Sequence, residues 1–159
     1  MSPVSIAMMR SERRLLVVDD DDAIRALLFT IFRRRGYKVD TARNGVEALE
    51  RMGSCRYALI VLDLMMPLMS GYELLERLST IASTERPLIL VLTAGAEPRT
   101  LDPTVVAGTM RKPFDIELLL DTIHACLSTM DDRDQRGDCP GADSDRALML
   151  GATNPDKPN

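Results

Sequence analysis

The stretch Tyr57–Gly71, Y-A-L-I-V-L-D-L-M-M-P-L-M-S-G, constrains the fold of this chain more than any other. Its apolar run, Ala58 to Leu62, ends on a single carboxylate, Asp63, with Pro67 and Gly71 close behind. An unbroken apolar run bounded by turn residues reads as a strand covered on both faces. A carboxylate inside such a strand is costly to bury. Asp63 therefore belongs at the strand's carboxyl end, facing a crevice.

The same arrangement recurs along the chain. Leu15 to Val18 form a short apolar run that stops at Asp19-Asp20-Asp21-Asp22. Adjacent acids repel unless solvent, a cation or a helix N-terminus takes up their charge. Ile24, Leu27, Leu28 and Ile31 follow at helical spacing, with Asp21 or Asp22 placed to cap, Arg33, Arg34 and Arg35 in the last turn and Gly36 as the stop. Lys38 to Ala42 predicts a second strand, and Asn44-Gly45 a turn into a short helix on Val46, Ala48, Leu49 and Met52.

Beyond the central strand over 57–63, Leu74, Leu75, Leu78 and Ile81 predict a helix starting near Ser70 or Gly71. Leu88 to Leu92 predict a fourth strand ending on Thr93, and Thr109 to Lys112 a fifth, closed by Pro113. Pro98 and Pro103 interrupt the segment between them, which leaves room for one or two helical turns around Thr104 to Ala107. Ile116, Leu119, Leu120, Ile123 and Leu127 predict the final helix, with Asp115 near its start.

Strand–helix alternation implies an α/β fold: a doubly wound, five-stranded parallel sheet with right-handed crossovers and helices on both faces. Ligands of such sheets bind at the carboxyl ends of the strands, where the winding reverses. Those ends carry Asp19, Asp20, Asp63, Thr93 and Lys112. Three converging carboxylates call for a cation. With oxygen donors only, it should be a hard one, Mg²⁺ or Mn²⁺. A carboxylate beside such an ion can act as a nucleophile toward phosphorus, while Thr93 and Lys112 offer a hydroxyl and an ammonium to the transferred group.

Composition removes other classes. A net charge of −4, 4% aromatic residues and no Trp argue against a nucleic-acid surface. No apolar run approaches the roughly 20 residues of a membrane span. Cys55, Cys126 and Cys139 are odd in number and lack metal-type spacing, which predicts free thiols in a reducing, cytoplasmic setting. The expected organisation is a flexible N-terminal arm over 1–12, one domain over 13–130, and a disordered polar tail over 131–159.

V-V-D-D at 17–20, V-L-D-L-M-M-P at 61–67, L-T-A at 92–94 and K-P-F at 112–114 together resemble the receiver domain of two-component response regulators. The resemblance implies the flavodoxin-like strand order 2-1-3-4-5. It implies Asp63 as phosphoacceptor, with Thr93 and Lys112 meeting the phosphoryl group and a cis Lys112–Pro113 bond. Asp19, Asp20, Asp63 and the backbone carbonyl of Met65 would hold Mg²⁺. The implied function is a stand-alone phosphorylation-dependent signalling switch, not an enzyme, although it assists its own phosphorylation and dephosphorylation. Its implied partners are a histidine kinase or phosphotransfer protein and a downstream protein reached by direct contact.

The chain departs from the family in three places. Thr109 stands where relatives commonly carry an aromatic residue, and the segment before it is short, so the fourth helix should be short or irregular. Met65 and Gly95, two positions after Asp63 and Thr93, cannot orient an attacking water, which predicts slow phosphoryl loss. Two alternatives stand beside the switch: a non-switching pseudo-receiver scaffold, and a Mg²⁺-dependent phosphohydrolase. The latter is disfavoured because Met65 occupies the place of its second acid.

Overall fold

The computed structural model, in which residues 13–95 and 100–130 are described, turns this alternation into a sheet with helices on both sides. The elements run β1 (Arg14–Val18), α1 (Asp22–Arg34), β2 (Lys38–Ala42), α2 (Gly45–Ser54), β3 (Leu59–Asp63), α3 (Gly71–Ser79), β4 (Leu88–Thr93), β5 (Gly108–Arg111) and α4 (Ile116–Ser128). All strands pair in parallel in the order β2-β1-β3-β4-β5. The winding therefore reverses between β1 and β3. The expected arm over 1–12 and tail over 131–159 lie outside the described residues.

Strands buried on both faces need no polar alternation, and here successive residues simply point to opposite cores. Leu16, Val18, Ile60, Leu62, Ile89 and Val91 face α2 and α3, where Ala48, Leu74 and Leu78 pack. Leu15, Val17, Leu59, Val61, Leu90 and Leu92 face α1 and α4, where Leu28, Phe32, Leu119 and Ile123 pack. Local chemistry sets the helix starts. Asp21 caps α1, accepting from the amides of Ala23 and Ile24, and Asn44 caps α2. Ser70 and Glu73 form a reciprocal capping box at α3, with bonds of 3.3 and 2.7 Å.

Three expectations are corrected. The buried stripe of α1 runs through Leu28 and Phe32, whereas Leu27 is 44% exposed. Apolar residues outnumber the positions one helix face can bury, and the larger Phe32 takes the core site. Tyr57 precedes β3 instead of belonging to it; its buried ring sends the hydroxyl to Asp40 Oδ2 at 2.7 Å. Burial, followed by the hydrogen bond and charge of Asp40, pushes that phenol upward from its ordinary pKa. Cys126 is a free, half-buried thiol, but Cys55 is disulfide-bonded. An odd cysteine count rules out complete pairing, not a single pair.

Between β4 and β5 the described residues hold a single turn and no helix. The amides of Val105 and Val106 donate to the Asp102 carbonyl at 3.0 and 2.9 Å. The Thr104 amide and hydroxyl both meet Asp102 Oδ1, at 2.8 and 2.6 Å. Val105 and Val106 are buried and close the core on the α2–α3 face.

Among the described glycines, Gly71 has the least room, where α3 meets the end of β3. A Cβ on Gly71 would fall 2.4 Å from the Asp63 carbonyl oxygen and 2.7 Å from Leu64 Cα, both rigid backbone. Gly71→Ala is therefore expected to cost about 2–3 kcal/mol by overpacking. Urea denaturation measures this; a midpoint unchanged from the parent would contradict it.

Candidate functional site

β1 and β3 run side by side with Val18 opposite Leu62 as their last rung, so Asp19 and Asp63 are the next residues on adjacent strands. Both are buried, at 1% and 6% exposure, while Asp20 is exposed. One carboxylate oxygen from each of Asp19, Asp20 and Asp63 lies within 4.8 Å of the other two. β4 extends the same edge: Asp63 is opposite Leu92, and the buried Thr93 is the next residue.

Lys112 immediately follows β5, and its amide donates to the Thr93 carbonyl at 2.7 Å. Its ammonium donates to Asp19 Oδ2 at 3.0 Å and stands 3.7 Å from Asp63 Oδ1. The Lys112–Pro113 bond is cis, as expected. The amide of Met65 donates to Asp63 Oδ1 at 3.4 Å, while the residue is 66% exposed. All six sequence-predicted site residues thus come to one edge of the sheet. Thr109 is exposed and pairs with Val91.

Asp19 is held on every side. Its Oδ1 accepts from the Asp21 amide at 2.9 Å, and its backbone carbonyl accepts from Arg25 Nη1 at 2.7 Å. Arg25, which also pairs with Asp22, was not predicted for the site. A signal existed: a cation in the first turn of a helix opposes the macrodipole and needs an acidic partner to justify it.

Burial pushes the Asp63 carboxyl up to about 6, and the Asp19 charge and an Asp20 hydrogen bond add to the effect. Lys112 and the Met65 amide oppose the rise. For Lys112, burial works against the charge, but the Asp19 and Asp63 carboxylates outweigh it and hold the ammonium above its ordinary range. One ammonium faces three acids, and the donors are oxygens only, so the residues present fit a hard divalent cation.

Comparison with known proteins follows the same direction. Residues 15–124 match the family model described as the response regulator receiver domain. The chain is 34% identical to sporulation initiation phosphotransferase F of Bacillus subtilis over 117 residues, covering 72% of this chain and 93% of that protein. It is 41% identical to the response regulator MprA of Mycobacterium ulcerans over 117 residues, but spans only 50% of that relative's length.

Among solved structures, chemotaxis response regulator CheY4 of Vibrio cholerae superposes with a TM-score of 0.64 at 31% identity, over 72% of this chain and 98% of that one. The response regulator TrrA of Thermotoga maritima, in complex with Mg(2+)-BeF, gives a TM-score of 0.64 at 34% identity, with coverages of 72% and 98%.

The carboxyl of Asp63 should titrate near pH 6 in the metal-free protein. Because its ordinary value is 3.8, the folded chain then holds a proton that the unfolded chain has released. This group therefore favours the folded state at low pH, and that contribution is lost as pH rises through about 6. Lys112→Ala removes the nearest opposing cation and should move the midpoint higher. Carboxyl-carbon NMR reads both values; an Asp63 midpoint at or below the ordinary one, or a Lys112→Ala shift downward, contradicts the assignment.

Proposed function

Because the chain belongs to the receiver-domain family of two-component response regulators, we propose that it is a phosphorylation-dependent switch with Asp63 as the phosphoacceptor. Receiver domains are signalling domains, generally not classed as enzymes; histidine kinases or phosphotransfer proteins phosphorylate them, and they bind Mg²⁺ at an acidic pocket. The observation that carries the reading for this chain is the convergence of Asp63 with Asp19, Asp20, Thr93 and Lys112 at one sheet edge.

In this reading residues 13–130 form the receiver. Above pH 6 the Asp63 carboxylate is ionised and attacks the phosphorus of a phosphohistidine or small phosphodonor. The new O–P bond forms as the donor's bond to phosphorus breaks, and the electron pair leaves with the donor. Lys112 is shared between two acids before transfer, so its ammonium can turn to the incoming phosphoryl oxygens without crossing the site. The Thr93 hydroxyl, at the next strand end, donates to the same oxygens. Asp19, Asp20, Asp63 and the Met65 backbone carbonyl would hold Mg²⁺, which when bound offsets the charge of the acids and of the transferred group.

The described residues include no helix long and apolar enough to cross a membrane. The protein would work in the cytoplasm, taking phosphoryl from a histidine kinase or phosphotransfer protein. Its signal would leave by contact with a downstream protein, a two-state surface being biased by the modification. The exposed Met65 side chain and the absent side chain at Gly95 leave no group to position a water for hydrolysis, which favours a long-lived phosphoryl state.

Incubation with acetyl phosphate and Mg²⁺ tests the assignment by intact mass. One phosphoryl adduct is expected, lost in Asp63→Asn and on removal of the metal. Free phosphate over many turnovers would indicate a phosphohydrolase, and no adduct a non-switching scaffold. Met65→Asn should shorten the adduct's lifetime at least severalfold; a lifetime unchanged by this substitution contradicts the account of its persistence.

A further inference from the structure

Strand pairing and burial fix Asp19 and Asp63, but not the third acid of the site, Asp20. It lies beyond the end of β1 and is exposed. One of its carboxylate oxygens nevertheless lies within 4.8 Å of an oxygen from each of the other two. Peptide units are planar and stiff, so the place of Asp20 depends on what holds the peptides on either side of it.

Both peptides are anchored. The one after Asp20 is held by the Asp21 amide, which donates to Asp19 Oδ1 at 2.9 Å. The one before it is held by Arg25, whose Nη1 donates to the Asp19 carbonyl at 2.7 Å. The other polar atoms of Asp19 are engaged elsewhere: its amide donates to the Ala42 carbonyl at 3.1 Å, and its Oδ2 accepts from Lys112 at 3.0 Å. Arg25 stands in the first turn of α1, where a cation opposes the helix macrodipole, and its side chain is only 13% exposed. Its charge is met by Asp22, which is largely in solvent. Helix formation gives no reason for an arginine at this position; the reach back to Asp19 does.

We propose that Arg25 is a positioning residue of the cation site. By fixing the Asp19–Asp20 peptide it keeps the Asp20 carboxylate within ligating reach of Asp19 and Asp63, and so sets the affinity for Mg²⁺. The identity of the ion rests on the receiver reading given above. Arg25 touches neither the ion nor the phosphoryl group; it acts through Asp19 and Asp20. A guanidinium near the acids also repels an incoming divalent ion, which would make its removal favourable to binding. That repulsion is blunted by the ion pair with Asp22, so the loss of a preset ligand outweighs it and removal weakens binding.

Calorimetric titration of the full chain with MgCl₂, in the absence of any phosphodonor, provides the test. Arg25→Met keeps the stem and loses the guanidinium; it should weaken Mg²⁺ binding about tenfold, the low end for a group one bond behind a ligand. The Mg²⁺ concentration giving half-maximal adduct formation from acetyl phosphate should rise by the same factor. Arg25→Lys retains a cationic donor and should recover most of the affinity. Asp22→Asn removes the ion pair but not the bond to Asp19, and should stay within about twofold of the parent. Should the Met variant fail to fold, Arg25→Gln, whose shorter side chain stops before the Asp19 carbonyl, is expected to show the same weakening. Binding equal to or tighter than the parent's in Arg25→Met or Arg25→Gln, an Arg25→Lys variant as weak as these, or an equal loss in Asp22→Asn would each overturn the proposal. A parent chain that takes up phosphoryl while its Mg²⁺ affinity ignores Arg25 sinks this role alone. A parent that takes up none, yet binds Mg²⁺ in the Arg25-dependent way, supports the role and sinks the receiver reading.

Discussion

The parallel pairing of β1 with β3 sets two buried carboxylates, Asp19 and Asp63, on adjacent strand ends, and the site is built around that cost. Two like charges about 4 Å apart at an effective dielectric constant near 20 repel by about 4 kcal/mol. A shared lysine relieves part of this, but Lys112 is one ammonium among three acids. Burial first, and then the charge of Asp19, raise the pKa of Asp63, which gives up charge where no further cation is present. The local chemistry thus favours either protonation or the arrival of a positive ion.

The same winding that gathers acids at one edge gathers arginines at the other. Helix caps and first turns sit beside the carboxyl strand ends and suit Asp; helix C-termini and strand beginnings sit at the opposite edge and suit Arg. Arg33 and Arg34 close α1, and Arg13, Arg14, Arg56 and Arg86 line a groove at that edge. The sheet keeps the two regions apart.

The segment between β4 and β5 departs most from a regular strand–helix alternation. Its described residues, with Pro103 among them, hold no helix, yet the α2–α3 face still needs covering. Val105 and Val106 do this from a single turn whose polar groups are satisfied by Asp102. The exposed Thr109 follows on the edge strand, so the surface on this side differs in shape from one carrying a packed helix and a bulky aromatic.

Much of this is legible in the amino-acid sequence. Apolar runs stopping at Asp19 and Asp63 announced strand ends, because burial forbids a bare carboxylate within such a run. Asn44, Ser70 and Asp115 announced helix starts, because their side chains satisfy free amides locally. What stayed hidden depends on partners distant in the chain. That Phe32 and not Leu27 is buried, that Arg25 reaches the Asp19 carbonyl, that Tyr57 serves Asp40, and that Cys55 is bonded are all decided by neighbours. The chain's own order of residues determined which groups stand at strand ends and helix caps, since those preferences act over a few residues. Only tertiary packing decided how near the acids lie, which cation they share and how far Asp63 departs from an ordinary acid, because electrostatic energy depends on separation and burial, neither of which is local.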